Sequence, residues 1–113
     1  MKLPGAEQAA VDRSKVADYL LSESHPVGRF KSTFFLSLGY SRDDWRILGE
    51  DLVRHLLEND AVATELTRYG QKYEVRGSLT VPVGRTVSLV TVWIILHSEA
   101  FPRFVTAFPG RKT

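Results

Sequence analysis

The sequence predicts an α+β fold in which about three N-terminal helices pack on one face of a four-stranded antiparallel sheet. Apolar residues recur at helical spacing as far as about Asp60, and beyond it they alternate with polar residues as they do in strands. Helices and strands are therefore segregated along the chain, which is typical of α+β domains and argues against a doubly wound parallel sheet. Val83-Gly84 lies between two alternating segments and predicts a hairpin turn.

The helical part has clear boundaries. Pro26 ends a first helix because a proline pushes the residue before it out of helical geometry, and Gly39 ends a second. Ser41 followed by Asp44 resembles a capping box at the start of a third helix. The helices are predicted at residues 13–21, from 27 or 28 to 38, and between 41 and 59.

Four strands are predicted, at residues 61–69, 72–82, 85–97 and 101–108. The third is expected at the centre of the sheet because it is apolar on both faces. In the last strand, simple alternation puts Phe104, Thr106 and Phe108 on one face and Arg103 on the other. The residues expected to form the core are Tyr19, Leu20, Phe34, Trp45, Leu48, Leu52, Val90, Val92 and Ile94.

Length and composition predict one domain of 113 residues, 43% of them hydrophobic. It divides into an N-terminal arm (1–11), a helical part (12–59), an antiparallel sheet (60–109) and a tail (110–113). There is no cysteine, so disulfides and thiolate metal sites are excluded. Without a secretion leader or an apolar run of about 20 residues, we expect a cytoplasmic protein that makes no use of a membrane.

The charge distribution is compatible with a phosphate-containing partner. The net charge is only +2, but ten of the 15 basic residues are arginine, which suits bidentate contact with phosphate. The carboxylates concentrate in residues 43–60, and the chain from Gly70 onward is mainly basic. This pattern fits a nucleic-acid binder with a local basic patch, and it fits equally a soluble domain without such a partner.

Common catalytic motifs are absent from the sequence. It has no glycine-rich phosphate loop, no His-Glu-x-x-His pattern and no Gly-x-Ser-x-Gly elbow, so we expect neither a metal nor a cofactor. His55 lies beside the apolar stripe of the third helix, where a lone histidine is more often a boundary residue than a catalyst.

The turn at residues 24–31 is the best candidate site. It brings His25, Arg29 and Lys31 close to the start of the second helix, where a phosphate binds favourably. A plain linker with solvated charges is the alternative. Polar residues of the strands add Thr91, Trp93, Arg103 and Thr106. Each also has a structural interpretation, such as packing for Trp93 and an ion pair with Glu74 or Glu99 for Arg103.

Two blocks of residues resemble a bacterial domain family of unknown function over nearly the whole chain. The first block is Tyr19-Leu20-Leu21, His25-Pro26-x-Gly28-x-x-Lys31, Phe34 or Phe35, and Leu38-Gly39. The second block is Gly84-Arg85-Thr86, Thr91-x-Trp93-Ile94 and Pro102-Arg103-x-Val105-Thr106-Ala107-x-Pro109. That family is similar to phage-borne and polymorphic-toxin C-terminal domains, which are grouped with barnase-, EndoU-, colicin- and RelE-like ribonucleases. The resemblance implies helices followed by a four-stranded antiparallel sheet.

The resemblance also implies metal-independent RNA cleavage by attack of the ribose 2′-hydroxyl. His25 would act as base or acid, Lys31 and Arg103 would hold the phosphate, and Thr91 or Thr106 would orient an oxygen. His97 is a candidate second histidine. Candidate substrate-binding residues are Arg29, Arg85, Tyr73 and Trp93, and Tyr73 is also a possible acid. The implied partners are RNA, with tRNA as the first candidate, and a cognate antitoxin or immunity protein.

Other classes of function stay open, so enzymatic activity is favoured without being required. A non-catalytic antitoxin, immunity protein or adaptor could use the same basic face, and its N-terminal arm could add a strand to a partner. A small-ligand domain could hold a phosphate or carboxylate at Lys31. Catalysis alone requires His25, Lys31 and a strand residue to meet in one cleft. The oligomeric state stays open.

Overall fold

The computed structural model describes residues 1–26 and 29–110, apart from the side chain of Phe30. A single 3₁₀ turn, Ala6–Gln8, precedes three helices. Helix α1 starts as Arg13–Lys15 and continues as a π-helical turn, Val16–Leu20; α2 is Arg29–Ser37 and α3 is Trp45–Glu58. The strands are β1 (Ala61–Leu66), β2 (Gly70–Thr80), β3 (Thr86–Leu96) and β4 (Arg103–Pro109).

The predicted α+β class is confirmed, with the helices preceding the sheet. The strands form an antiparallel meander in the order β1-β2-β3-β4, so β3 is an internal strand as predicted. The predicted start of the second helix at Val27 or Gly28, and the tail beyond Gly110, lie outside the described residues. Within residues 1–26 and 29–110, no helix is long and apolar enough to cross a membrane.

The N-terminal arm packs along β4. Ala10 forms a parallel bridge with Arg103, in which its N–H donates to Pro102 O at 2.9 Å and its carbonyl accepts from Phe104 N at 2.9 Å. Leu3 and Ala6 are buried in the core. The arm therefore forms these backbone hydrogen bonds with the sheet of its own chain. The binding-module hypothesis had expected the arm to add a strand to a partner protein.

Two predictions about strand faces are wrong. The side of β3 that joins the core carries Leu89 and Trp93, whereas Val92 and Ile94 lie on the other side and are half-buried. Because β3 is apolar on both faces, its alternation could not identify the core side. Of the other expected core residues, Leu20, Leu48, Leu52 and Val90 are buried, and the half-buried ones are Tyr19, Phe34 and Trp45.

A bulge in β4 explains the second error. Val92 pairs with Thr106, but the next residue, Trp93, pairs with Phe104, so β4 contains one extra residue at this point. The extra residue reverses the alternation, and Phe104 and Ala107 both enter the core. Thr106 consequently lies on the outer face of the sheet, opposite to the side that Phe104 occupies.

His55 is fully buried between α3 and the sheet, so its interpretation as a boundary residue is wrong. Its Nε2 lies 3.1 Å from both Gly77 O and Leu89 O, and its Nδ1 lies 3.1 Å from Thr91 Oγ1. Two carbonyl acceptors require the proton on Nε2, so Nδ1 accepts from the Thr91 hydroxyl. Burial lowers the pKa of His55, against the opposing effect of the two carbonyls, which favours this neutral form.

Candidate active site

Three segments of the chain meet at Thr106 on the outer face of β4. Lys31 Nζ, from α2, donates to Thr106 Oγ1 at 2.7 Å. The Tyr19 hydroxyl, from the π-helical turn of α1, lies 3.5 Å from the same oxygen. The β4 bulge makes this meeting possible, because it turns Thr106 away from the core.

His25 joins this group from the turn between α1 and α2. The Ser22 hydroxyl accepts hydrogen bonds from the N–H groups of Ser24 at 3.3 Å and His25 at 3.2 Å, which shapes the turn. The His25 ring packs edge-on against the Tyr19 ring, with the two centroids 5.1 Å apart and the planes at 84°. The aromatic contact holds the half-buried imidazole beside the phenol.

An open cavity of about 530 Å³ lies in front of these groups. This volume falls in the range of roughly 300–1,000 Å³ that is usual for ligand sites. Its lining residues are Ser14, Lys15, Tyr19, His25, Val105 and Thr106. The cavity therefore presents an imidazole, a phenol, two hydroxyls and an ammonium group to a ligand.

The local charge at the site is positive. Lys31 Nζ lies 5.4 Å from the centre of the Tyr19 ring and 5.8 Å from that of Phe108. Burial tends to raise the pKa of the Tyr19 hydroxyl, but hydrogen bonds with Thr106 and Lys31 and the charges of Lys31 and Lys15 outweigh it. The net result is a pKa below the ordinary value of a tyrosine, as expected where cations stabilise a phenolate.

Three of the five predicted catalytic residues, His25, Lys31 and Thr106, are brought together here. Thr91 lies elsewhere: it is fully buried and bonded to His55 and Trp93, whose indole N–H donates to its hydroxyl at 2.8 Å. Thr91 points to the core side of β3, whereas Thr106 pairs with Val92 on the outer side. Thr91 therefore does not belong to the cavity that Thr106 lines.

Arg103 is engaged in an ion pair with Glu99. Its Nε and Nη2 donate to the two Glu99 oxygens at 2.7 and 2.6 Å, and its guanidinium lies 5.1 Å from the centre of the Phe101 ring. The hydrogen bond with Arg103 lowers the pKa of Glu99, and the same bond raises that of Arg103. The ion-pair alternative thus holds with Glu99 as the partner, and Arg103 does not line the cavity.

The predicted substrate-binding residues do not line the cavity either. Trp93 is fully buried, and Tyr73 is half-buried against the core. Arg85 is exposed at the turn before β3. Arg29 is exposed at the start of α2 and lines a separate cavity with Glu23. His97, the candidate second histidine, lies just beyond β3 with its Nε2 3.2 Å from Thr67 O.

Of the six residues that line the cavity, only His25 and Thr106 were predicted as site residues, and the two further groups able to carry a proton or a positive charge, Tyr19 and Lys15, were not. Tyr19 was assigned to the core because it follows the apolar spacing of the first helix, and Lys15 was not singled out. A phenol and a lysine within ten residues of His25 were the available signal. Among the described residues, no group of three or more His, Asp or Glu side chains is placed to hold a metal ion.

The fold and the site define a small α+β domain with a basic cleft that contains a phenol and an imidazole. Residues 2–111 match the model of a family described as "Domain of unknown function (DUF6883)", and the chain belongs to this family. No curated protein matches the chain.

A solved structure has a similar fold: a chain in a contact-dependent growth inhibition toxin–immunity protein complex from Klebsiella pneumoniae 342. The two sequences are 21% identical, the TM-score is 0.68, and the match covers 89% of this chain and 99% of that chain. At this level of identity, the likeness establishes a shared fold.

Proposed function

We propose that this domain cleaves RNA without a metal ion, by attack of a ribose 2′-hydroxyl on the adjacent phosphorus. The observation that carries the proposal is that His25 and Thr106 line one cavity, while Lys31 donates a hydrogen bond to Thr106. Such a cleft was the condition that separates a catalyst from a simple binding module.

Each group has a role that suits this reaction. The imidazole of His25 lines the cavity and takes the proton of the 2′-hydroxyl through a ring nitrogen that accepts it. Lys31 and Lys15 stabilise the charge that gathers on the phosphoryl oxygens. The Lys31 ammonium has three donors and spends one on Thr106, so it keeps others for a phosphate. Thr106 fixes the direction of that ammonium.

The structural neighbour supports a role in a toxin system. That neighbour belongs to a complex of a toxin and an immunity protein. We extend this to the present chain as a proposal: the domain is the toxin-type partner, its substrate is an RNA such as tRNA, and a cognate protein blocks the cleft. The ribonuclease group that the sequence resembles gives the same expectation.

The test is cleavage of total tRNA by the purified protein in excess EDTA. We expect cleavage by the wild type, products ending in a 2′,3′-cyclic phosphate, and loss of cleavage in His25→Ala and Lys31→Ala. Two control variants remove a histidine and a lysine that lie outside the cavity: His97→Ala and Lys72→Ala. In the wild type, the Lys72 ammonium lies 3.7 Å from Glu65. Both should cleave like the wild type.

Thermal unfolding of each variant shows whether the fold is intact. Cleavage that persists in His25→Ala would exclude the imidazole as acid or base. A wild-type protein that cleaves neither total tRNA nor total cellular RNA would contradict the proposal and favour a non-catalytic binding module.

A further inference from the structure

We propose that the Tyr19 hydroxyl is the general acid of this reaction and gives its proton to the leaving 5′-oxygen. This inference rests on the proposed function, and it assigns a second proton carrier to a site that contains one histidine. The sequence had offered His97 or Tyr73 for this role, and neither lines the cavity.

The position of Tyr19 is the first argument. Its hydroxyl reaches Thr106, and its ring borders His25, so the phenol and the imidazole face the same cavity. A phosphodiester in that cavity has its 2′-oxygen and its 5′-oxygen on different sides of phosphorus. Two separate proton carriers are needed there, and two adjacent but distinct ring systems provide them.

The hydrogen bonds around Thr106 are the second argument. Thr106 Oγ1 accepts from Lys31, so its own hydrogen is available to donate toward the Tyr19 oxygen 3.5 Å away. With its oxygen accepting, Tyr19 can direct its own proton into the cavity. The same arrangement stabilises the phenolate that remains after proton transfer, and it agrees with the lowered pKa of Tyr19.

The step balances without any further reactant. The 2′-hydroxyl loses its proton to His25, the 2′-oxygen bonds to phosphorus, and the bond from phosphorus to the 5′-oxygen breaks. The 5′-oxygen takes the phenolic proton of Tyr19. The products are a 2′,3′-cyclic phosphate and a 5′-hydroxyl end; the imidazolium then returns its proton to water, and the phenolate regains one from water.

Lys15 is the rival acid, because its ammonium also borders the cavity and carries a transferable proton. Its side chain is exposed to solvent, whereas Tyr19 is half-buried and held by contacts to three residues. An acid must be positioned within hydrogen-bond reach of the leaving oxygen, which favours the held group. The experiment separates the two.

The experiment compares two substrates and uses the full chain. One is an RNA hairpin that carries the cleavage site mapped in tRNA; the other is the same hairpin with sulfur in place of the 5′-bridging oxygen at that linkage. A thiolate leaves without protonation, so the second substrate does not require a general acid. The proteins are the wild type, Tyr19→Phe, which keeps the ring beside His25, and Lys15→Gln.

We expect Tyr19→Phe to cleave the normal hairpin about 10²–10⁴-fold more slowly than the wild type, the usual contribution of a general acid. On the sulfur-containing hairpin it should approach the wild-type rate. Lys15→Gln should slow the cleavage of both hairpins by a similar factor, because it removes a charge that stabilises the phosphoryl oxygens, and sulfur should not rescue it.

The other outcomes overturn the inference in distinct ways. If Tyr19→Phe cleaves both hairpins more slowly by the same factor, Tyr19 has a positioning role. If it cleaves both at the wild-type rate, Tyr19 takes no part in the reaction. Sulfur rescue in Lys15→Gln makes Lys15 the acid. If Tyr19→Phe unfolds at a lower temperature than the wild type, the ratio of its rates on the sulfur-containing and the normal hairpin still tests the role of Tyr19, because partial unfolding lowers both rates by the same factor. Failure of the wild type to cleave either hairpin or tRNA overturns the proposed function itself.

Discussion

The Lys31 ammonium donates a hydrogen bond of 2.7 Å to the Thr106 hydroxyl and thereby joins α2 to the outer face of β4. This contact joins residues 75 positions apart in the sequence and places a positive charge beside Thr106, which lines the cavity. It also sets the properties of Tyr19, because the same ammonium lies over the Tyr19 ring.

Removing the Lys31 charge should raise the pKa of Tyr19. Lys31→Met keeps an apolar stem but loses a hydrogen bond and a charge that both favour the phenolate. The measurement is the ultraviolet titration of tyrosinate, with Tyr19→Phe identifying the Tyr19 component by difference. Tyr40 should contribute little to this titration, since burial and its bond to Asp51 raise its pKa far above the usual range. An unchanged Tyr19 component in Lys31→Met would contradict the electrostatic account of this site.

Leu52→Ala should lower the free energy of unfolding by about 2–5 kcal/mol, because it leaves a cavity in a close-packed core. Leu52 is fully buried on the inner side of α3. Leu57→Ala is the matched control on the same helix, where the side chain is 45% exposed. Its free energy of unfolding should change by no more than about 0.5 kcal/mol. Denaturant unfolding measures both. Equal losses in the two variants would mean that α3 does not pack as described.

The sequence predicts most of the fold because its periodicity changes once. The apolar spacing of Leu48, Leu52 and Leu56 indicates the inner face of α3, and the structure buries all three. The alternation after Asp60 indicates strands, and consecutive strands are joined by turns too short for parallel crossovers. These signals are local, so no knowledge of distant contacts was needed.

The site was only partly predictable, for a physical reason. A one-residue bulge leaves no mark in an alternating pattern, yet it decides that Thr106 faces outward while Phe104 enters the core. Tyr19 satisfies an apolar stripe and also carries a polar hydroxyl, so spacing alone assigns it to the core. Thr91 reads as an unexplained polar residue until His55 is known to be its buried partner.

The buried imidazole of His55 should make the protein less stable in mild acid. Its pKa is lowered in the fold by burial, so the unfolded chain binds the proton more readily. Well above about pH 6.5 neither state is protonated, and as the pH falls through that value the free energy of unfolding should decrease by at most about 1.4 kcal/mol per pH unit for this one proton.

Urea unfolding between pH 8 and pH 5 measures this dependence. His55→Gln should flatten it, at the cost of lower stability at every pH because the polar partners in the core are no longer fully matched. His97→Gln, which removes an exposed histidine, should leave the dependence unchanged. An equal slope in the wild type and His55→Gln would show that another group is responsible.

Binding of RNA should weaken steeply as salt increases, because contacts between cations and phosphates release counterions. Lys15 lines the cavity, and Lys31 is bonded to Thr106, which also lines it, so we expect these two ammonium groups to make such contacts. For a single-stranded RNA, removing one phosphate contact should reduce the slope of log K against log salt by about 0.7. Lys15→Ala and Lys31→Ala should each show this reduction, and Lys72→Ala, outside the cavity, should keep the wild-type slope. Fluorescence anisotropy with a labelled RNA measures these slopes in the His25→Ala background, which should bind the RNA without cleaving it. If the wild type and the His25→Ala protein both fail to bind RNA at low salt, the prediction is wrong and the basic cleft serves a protein partner. Replacing either lysine should then have no effect on RNA binding at any salt concentration.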